Sequence, residues 1–520
     1  MDISDAFKTT FKLVFGECNV ELSELEPYLL KYHYPVMKRK SSISGKEVAL
    51  SSSWYAPGSK IISQEEIDFN KHEKLNINDI KDIDSLLEAI KDRTVYAGNK
   101  VFGNSKLIYC SDNCTDSYCV HCSHNTFSSK YVAYSSFVRD EVEYVFGTSL
   151  FSRSKFLIRV IGAWNLTRAF ESYLCRDSSD LFGCFNCSDC FNCMFSFNVR
   201  SKRNAIGNLE LPADRYAKLR EKLVTEAREH IEKHKEFPAL FELPELQAAP
   251  ENLPAIAAAQ KKREDLQPID EAFKSTSRII FGREIGSLKQ NEGFLMESLP
   301  KMLTLKTPYG QSIPSSDIYF FSRIPSSRAV GSDEAEQLAN LKIELSENQE
   351  VSLGSIFKKL KDVGFFGINF FTGKGENNME TMIGYNAVNT YKVFDSTNGK
   401  YNACCTVSLN SDYTFGCFRI LHSKFCINCH NCAKLTNCFE MDSCTNCRDS
   451  MFCHNCENLD NCMFCFNTKS KRYAIGNVEV GRERFMKIKK LVVDEIAKKL
   501  EMNGSLGFGI CSLGAKFTSI

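Results

Sequence analysis

Cys426-Ile427-Asn428-Cys429-His430-Asn431-Cys432-Ala433-Lys434-Leu435-Thr436-Asn437-Cys438 puts a small or apolar residue at every third position from Cys426 on, four cysteines and one leucine in all. Followed in both directions, from Cys405 to Thr468, that phase holds 22 consecutive residues, all Cys, Ser, Thr, Ile, Leu or Met. It takes in 12 of the 13 cysteines between Cys404 and Cys465. A second column runs from Ser154 to Val199 and contains only Ser, Leu, Val, Ala and Cys. Charged, aromatic and Asn residues fill the other two phases.

An α-helix repeats at about 3.6 residues and a strand at about 2, so neither keeps an unbroken phase of three over such a length. Polyproline II has the period, but a lone helix of that kind has no interior in which to bury thiols. The pattern predicts a narrow β-solenoid, a thin parallel β-helix with one inward side chain per triplet and coils stacked about 4.8 Å apart. A narrow interior admits only small residues. Asn428, Asn437, Asn446, Asn455 and Asn461 each precede an inward position, and Asn tolerates the left-handed conformation that corners need. The coil length must be a multiple of three, and 12 and 18 both satisfy the column. Before Ser154 the phase is broken: Cys110, Cys119 and Cys122 fall outside it, which an insertion at a corner around residues 123–140 accounts for.

The chain also matches itself. Asp5-Ala6-Phe7-Lys8 leads to Leu13-Val14-Phe15-Gly16, as Glu271-Ala272-Phe273-Lys274 leads to Ile279-Ile280-Phe281-Gly282; Lys100-Val101-Phe102 matches Lys392-Val393-Phe394. Ser201-Lys202-Arg203-Asn204-Ala205-Ile206-Gly207-Asn208 returns as Ser470-Lys471-Arg472-Tyr473-Ala474-Ile475-Gly476-Asn477. Matches in the same order imply a tandem internal duplication. The expected organisation is a mixed α/β front part (1–95), a cysteine-rich solenoid with a helical cap (96–236), a Pro-rich linker (237–268), a second front part (269–390), a second capped solenoid (391–502) and a tail (503–520). The linker holds five of the 13 prolines and reads as semi-extended. In the front parts, Phe7, Phe11 and Val14 predict a short helix, Val48–Tyr55 a strand, and Asp82–Lys91 and Ser332–Leu345 helices. After each column, Ala-Ile-Gly-Asn is a turn signal followed by an amphipathic helix, Asp214 to about Lys235 and Arg482 to Leu500.

Three chemistries compete for the cysteines. They serve as small packing residues; or they bind zinc or an iron–sulfur cluster through Cys184, Cys187, Cys190 and Cys193, and through Cys444, Cys447, Cys453, Cys456, Cys462 and Cys465; or pairs six apart, such as Cys456 and Cys462, form disulfides. Ser, Leu, Ala and Thr at equivalent positions favour packing, because ligands could not be replaced by them. No cofactor is expected on that reading. Lys202-Arg203 and Lys471-Arg472, where each column meets charge, are candidate anion-binding residues, beside the plainer reading of a capped end. His422, His430 and His454 sit in outward phases and read as surface residues, and Trp54 and Trp164 as core. Gly373-Lys374-Gly375 lacks a P-loop frame, and no catalytic signature is present.

Sixty-five basic and 64 acidic residues give a net charge of +1, so no general nucleic-acid signal exists. No apolar stretch is long enough for a membrane span, and the acidic N-terminus is no secretory signal, which points to the cytoplasm and to reduced thiols. The run Asp177-Ser178-Ser179-Asp180-Leu181-Phe182-Gly183-Cys184 and the closing motif Lys471-Arg472-Tyr473-Ala474-Ile475-Gly476-Asn477 resemble those of a group of uncharacterised cysteine-rich microbial repeat proteins. Asn204 replaces the Tyr of that motif in the first half, and the zinc-ribbon-like CxxC pairs of the group's front part are absent. The resemblance covers about half of the chain and implies architecture only. The sequence therefore points to a non-enzymatic structural or interaction protein that self-associates as a shell, filament or scaffold subunit. The alternative is a metal- or iron–sulfur-binding protein that uses the stacked thiols for storage or electron transfer.

Overall fold

A computed structural model describes residues 1–34, 36–69, 75–258, 264–346 and 350–514. Helices are mixed with β-sheets, and the two large sheets, of fifteen and fourteen strands, are parallel except at their last pairs. The chain forms two compact units, each assembled from three stretches: Met1–Val36, Val101–Lys261 and Leu303–Phe370 in the first, Met37–Lys100, Lys262–Met302 and Phe371–Ile520 in the second. The units therefore cut across the boundaries expected from sequence, since residues 37–95 pack with the later sheet and residues 303–370 with the earlier one.

In the first unit the parallel register steps by twelve residues: Tyr118 pairs with Lys130, His124 with Ser136, Leu157 with Ala169, Phe191 with Arg203. The step is thirteen from Ser129 to Val142 and from Ser136 to Ser149. The extra residue lies at Asp140–Glu141, two consecutive residues with positive φ (59° and 58°), at the edge of the range where the sequence placed an insertion. Two strand ladders merge on the long strand Ile161–Phe170, which pairs with both Ser149–Ser152 and Lys155–Ile158, so the sheet curls toward a closed barrel. The second unit has the same step of twelve, as in Cys426 with Cys438 and Cys462 with Ala474.

The period of three has a backbone cause. Every third residue from Arg419 to Tyr473 has positive φ, including Asn428, Asn437, Asn446, Asn455 and Asn461 at 49° to 55°. The left-handed residue is thus part of every triplet and not of corners alone. Such a residue costs roughly 1–2 kcal/mol unless it is Gly, Asn or Asp, and the parallel hydrogen-bond ladder between strands offsets this. The residue that follows it points inward. Cys114, Val120, Val132 and Val138, then Val145, Leu157, Cys175, Cys184, Cys187, Cys190 and Cys193 form one interior cluster; the change of phase falls at Asp140–Glu141. Val393, Cys405, Cys417 and the inward cysteines up to Cys465 form the other.

Each sheet is roofed by a helix. Ile3–Phe15 starts at Asp2, whose side chain accepts the Asp5 N–H at 2.8 Å, and stops at Gly16 with φ of 88°. Its Phe7 packs edge-on to Phe146 (5.2 Å) and Phe15 to Phe170 (4.9 Å), sheet residues two register steps apart. In the second unit Gln267–Phe281 sets Phe273 on Phe415 (5.2 Å) and Phe281 on Phe439 (5.0 Å). Each fully buried Phe contributes about 2 kcal/mol. The closing helices are Ala213–His234 and Arg482–Asn503. Helix Ile83–Ile90, N-capped by Asp82, matches the expectation, whereas Ser332–Leu338 stops about two turns early and the strand near residue 48 is Glu47–Leu50. The Pro-rich stretch is no free linker at its start: Phe237, Leu240, Phe241, Leu243 and Leu246 are buried, with Phe237 against Phe170 and Phe182 and Phe241 against Tyr173 and Phe320.

Candidate functional site

The interior thiols are held by the backbone around them. Cys184 Sγ lies 3.7 Å from the carbonyl two residues before and 3.3 Å from that of Cys193, nine residues on. The same pair of acceptors serves Cys187, Cys190 and Cys193, and Cys444, Cys447, Cys453, Cys456, Cys462 and Cys465. Ser423 and Ser450, in the same phase, donate to the carbonyl two residues back. Burial pushes the Cys184 and Cys187 thiols up, toward the neutral form, whereas hydrogen bonds from Cys453 and Cys462 push the Cys465 thiol down to about 5, so the shifts carry no uniform sign for or against the thiolate that a metal requires. None of the 24 cysteines is in a disulfide, and among the described residues no group of three or more His, Cys, Asp or Glu side chains is arranged to hold an ion.

The candidate anion residues do not converge. Lys202 is paired with Glu210 at 2.7 Å, and the Arg203 N–H donates to the same carboxylate. Arg472 lies 3.3 Å from Asp460 and over the Tyr473 ring. Lys471 alone lines a cavity, of about 540 Å³, together with Lys60, Arg93, Glu66, Asp68 and Asp92. Three cations there face three carboxylates: Lys60 is 4.0 Å from Asp92, and Arg93 donates to the Gly476 carbonyl. Hydrogen bonds from Ser41 and the Ser63 N–H hold Glu66 ionised, below its ordinary range. The balance gives no preference for an anion. Nor does either column end at its lysine, since Ala205 and Ala474, one triplet later, are still in the interior clusters.

Two histidines read as surface residues are covered. His430 is 3% exposed and His454 fully buried, because residues of the front part lie over their outward phase; His422 is exposed. His454 Nδ1 is 2.7 Å from Asp442 Oδ2, the same oxygen that accepts the Tyr55 hydroxyl at 2.6 Å, and His454 Nε2 accepts the Ala97 N–H at 2.9 Å. The proton therefore sits on Nδ1. Burial raises the Asp442 carboxyl, but the bonds from His454 and Tyr55 and the charge of Lys100 outweigh it and hold it at about 2. The set resembles a relay in composition, yet it is sealed from solvent and every polar atom in it fastens one segment to the sheet. Sequence reasoning missed it because Tyr55 and Asp442 are 387 residues apart. Trp54 is half-buried against Phe418, and Trp164 lies half-exposed under Arg153.

The first sheet begins unprotected. Strand Lys106–Tyr109 pairs with Tyr118–His121 on one side and with no other strand among the described residues. Leu107 is 63% and Tyr109 67% exposed there. No helix of the described residues is long and apolar enough to cross a membrane.

No family model matches the chain, and no curated protein does. Among solved structures, one titled as an acetyltransferase from Desulfovibrio desulfuricans G20 is similar over 71% of this chain, at 9% identity and a TM-score of 0.11. The chain spans 65% of that structure's length, just under two thirds. A likeness of that size carries no argument about fold or activity.

Proposed function

We propose that each large sheet is a narrow β-solenoid of twelve residues per coil, that the two arose by tandem duplication, and that the protein is a cytoplasmic, self-associating structural subunit. The register step of twelve and the inward phase of three support the solenoid reading. The matched closing motifs, each followed by a 22-residue helix, support duplication. Thiols outside any disulfide and mostly buried suit a reducing compartment.

One observation carries the functional reading: an open strand edge with exposed Leu107 and Tyr109 at one end of a stack whose other end is closed by a hairpin and helix. Unpaired edges bearing apolar side chains recruit further strands, and proteins that stay monomeric blunt them. The occupant is a second copy of this chain. Sedimentation at increasing concentration tests this: the mass should rise in multiples of the 58.9 kDa chain, and Leu107→Lys with Tyr109→Lys should return it to the monomer. A wild-type chain that stays monomeric at high concentration would remove the reading.

A further inference from the structure

We propose that Cys110 and Cys122 form a two-coordinate thiolate site for a soft monovalent cation of the Cu(I) type, on the outer face of the first unit's opening strands. The site lies apart from the interior thiols and does not depend on self-association.

Register fixes the pair. Tyr109 and His121 are cross-strand partners, and the Cys122 N–H donates to the Tyr109 carbonyl at 3.0 Å. The residues that follow them, Cys110 and Cys122, therefore occupy equivalent places on neighbouring strands, both left-handed (φ 49° and 42°) and both half-exposed. Of the 24 cysteines only Cys18 shares that exposure; the other 21 are buried. Tyr134, one coil further on, takes the same place with φ of 51°. Its hydroxyl is pushed up by burial first and then by Glu26.

The spacing brings both thiols within reach of one ion. Neighbouring strands are about 4.8 Å apart, so in-register side chains leave the sheet side by side. Two thiolates at about the 2.3 Å of a zinc–thiolate bond span about 4.6 Å across one cation. A disulfide accepts Cα atoms about 4.4–6.8 Å apart, so the pair can also oxidise, and it is the reduced pair that binds the cation. Zinc and iron–sulfur clusters take four ligands, and no third Cys, His, Asp or Glu completes a set among the described residues. Thiolate softness favours Cu(I). His121, stacked on Tyr109 at 5.1 Å and edge-on to Tyr134 at 5.5 Å, walls the pair, and Glu26, which accepts the Tyr134 hydroxyl at 3.2 Å, adds negative charge beside it. Coordination releases both thiol protons to water, with no change of oxidation state.

Footprinting on the full chain, reduced and kept free of oxygen, tests the site. Iodoacetamide should label Cys18, Cys110 and Cys122 in the native protein, read by peptide mass. One equivalent of Cu(I) should protect Cys110 and Cys122 at least about tenfold and leave Cys18 unchanged. In Cys122→Ser, Cys110 should stay reactive with the metal present, while Cys18 labelling and circular dichroism report that the fold is intact. Unaltered labelling with Cu(I), protection of Cys110 that survives in Cys122→Ser, or a disulfide between the two that resists reduction before metal is added would each overturn the proposal.

Discussion

The side-chain amide of Asn477 makes both backbone bonds of Phe466: its Oδ1 accepts the Phe466 N–H at 2.9 Å and its Nδ2 donates to the Phe466 carbonyl at 2.8 Å. Asn208 does the same for Phe197, at 2.7 and 3.1 Å. In a parallel sheet with a register step of twelve each peptide finds its partners twelve residues on, and at the end of the sheet none follows. The asparagine amide replaces that missing peptide. The turn signal Ala-Ile-Gly-Asn therefore marks a hydrogen-bonded lid.

Replacing the lid with an apolar isostere should expose its purpose. Asn477→Leu leaves a buried donor and acceptor unpaired, at about 1–3 kcal/mol each before relaxation. Chemical denaturation should show the second unit destabilised by about 2–4 kcal/mol, with Asn208→Leu acting on the first. Hydrogen exchange of the Phe466 amide should accelerate in Asn477→Leu; an unchanged rate would mean that the amide is not the partner in solution.

The interior thiols give a substitution series in which packing and metal ligation disagree. Cys444→Ser keeps a donor for the Asp442 and Cys453 carbonyls, each 3.3 Å from the present sulfur, as Ser450 already does in the same phase. It should cost no more than about 1–2 kcal/mol. Cys444→Phe forces a large ring into a column of small side chains and should abolish cooperative folding of the second unit. A serine variant that fails to fold as badly as the phenylalanine one would count against packing.

The left-handed positions should rank substituents by backbone tolerance. Asn455 has φ of 52°. Asn455→Gly loses the contact of its amide to Asn467 at 2.9 Å but keeps the conformation, whereas Asn455→Val meets the steric cost of about 1–2 kcal/mol in full. Thermal melts should place valine below glycine. The reverse order would mean that the triplet is not left-handed at that residue.

How much of this was legible in the sequence depended on whether the physics was local. The inward phase of three could be read because a narrow interior restricts residue size at each step, and the asparagines because φ is a property of single residues. The register step of twelve is one of the two lengths the column allows, and the sequence does not carry the choice between them. The outer phases misled. His430 and His454 occupy positions that would be wet on a bare stack, and only the segments packed over them make them buried. For the same reason Lys202 and Lys471 looked like a pair of equivalent sites, while the chain gives one a carboxylate partner and the other a charge-balanced cavity.

Glu440 sets a pH dependence whose sign is unusual for a carboxylate. It is 3% exposed on the outer face of the second sheet, where it accepts the Ile510 N–H at 2.6 Å and the Asn428 amide at 3.0 Å. Burial raises its carboxyl, those two bonds oppose the rise, and the balance leaves it up at about 7, against an ordinary value of 4.5. Between those values the folded chain keeps a proton that the unfolded chain has lost. Its contribution to stability is therefore fully present below pH 4.5 and is lost as the pH climbs through 7, about 3 kcal/mol for a displacement of that size. Glu440→Gln removes the titration and retains an acceptor for Ile510, and its new N–H can turn to Asn428 Oδ1, which has no partner among the described residues. Urea unfolding at pH 5 and pH 8 should show the wild-type second unit losing about 2.5 kcal/mol more than the variant across that interval. Parallel pH profiles for the two proteins would mean that Glu440 ionises in the folded chain as freely as in the unfolded one.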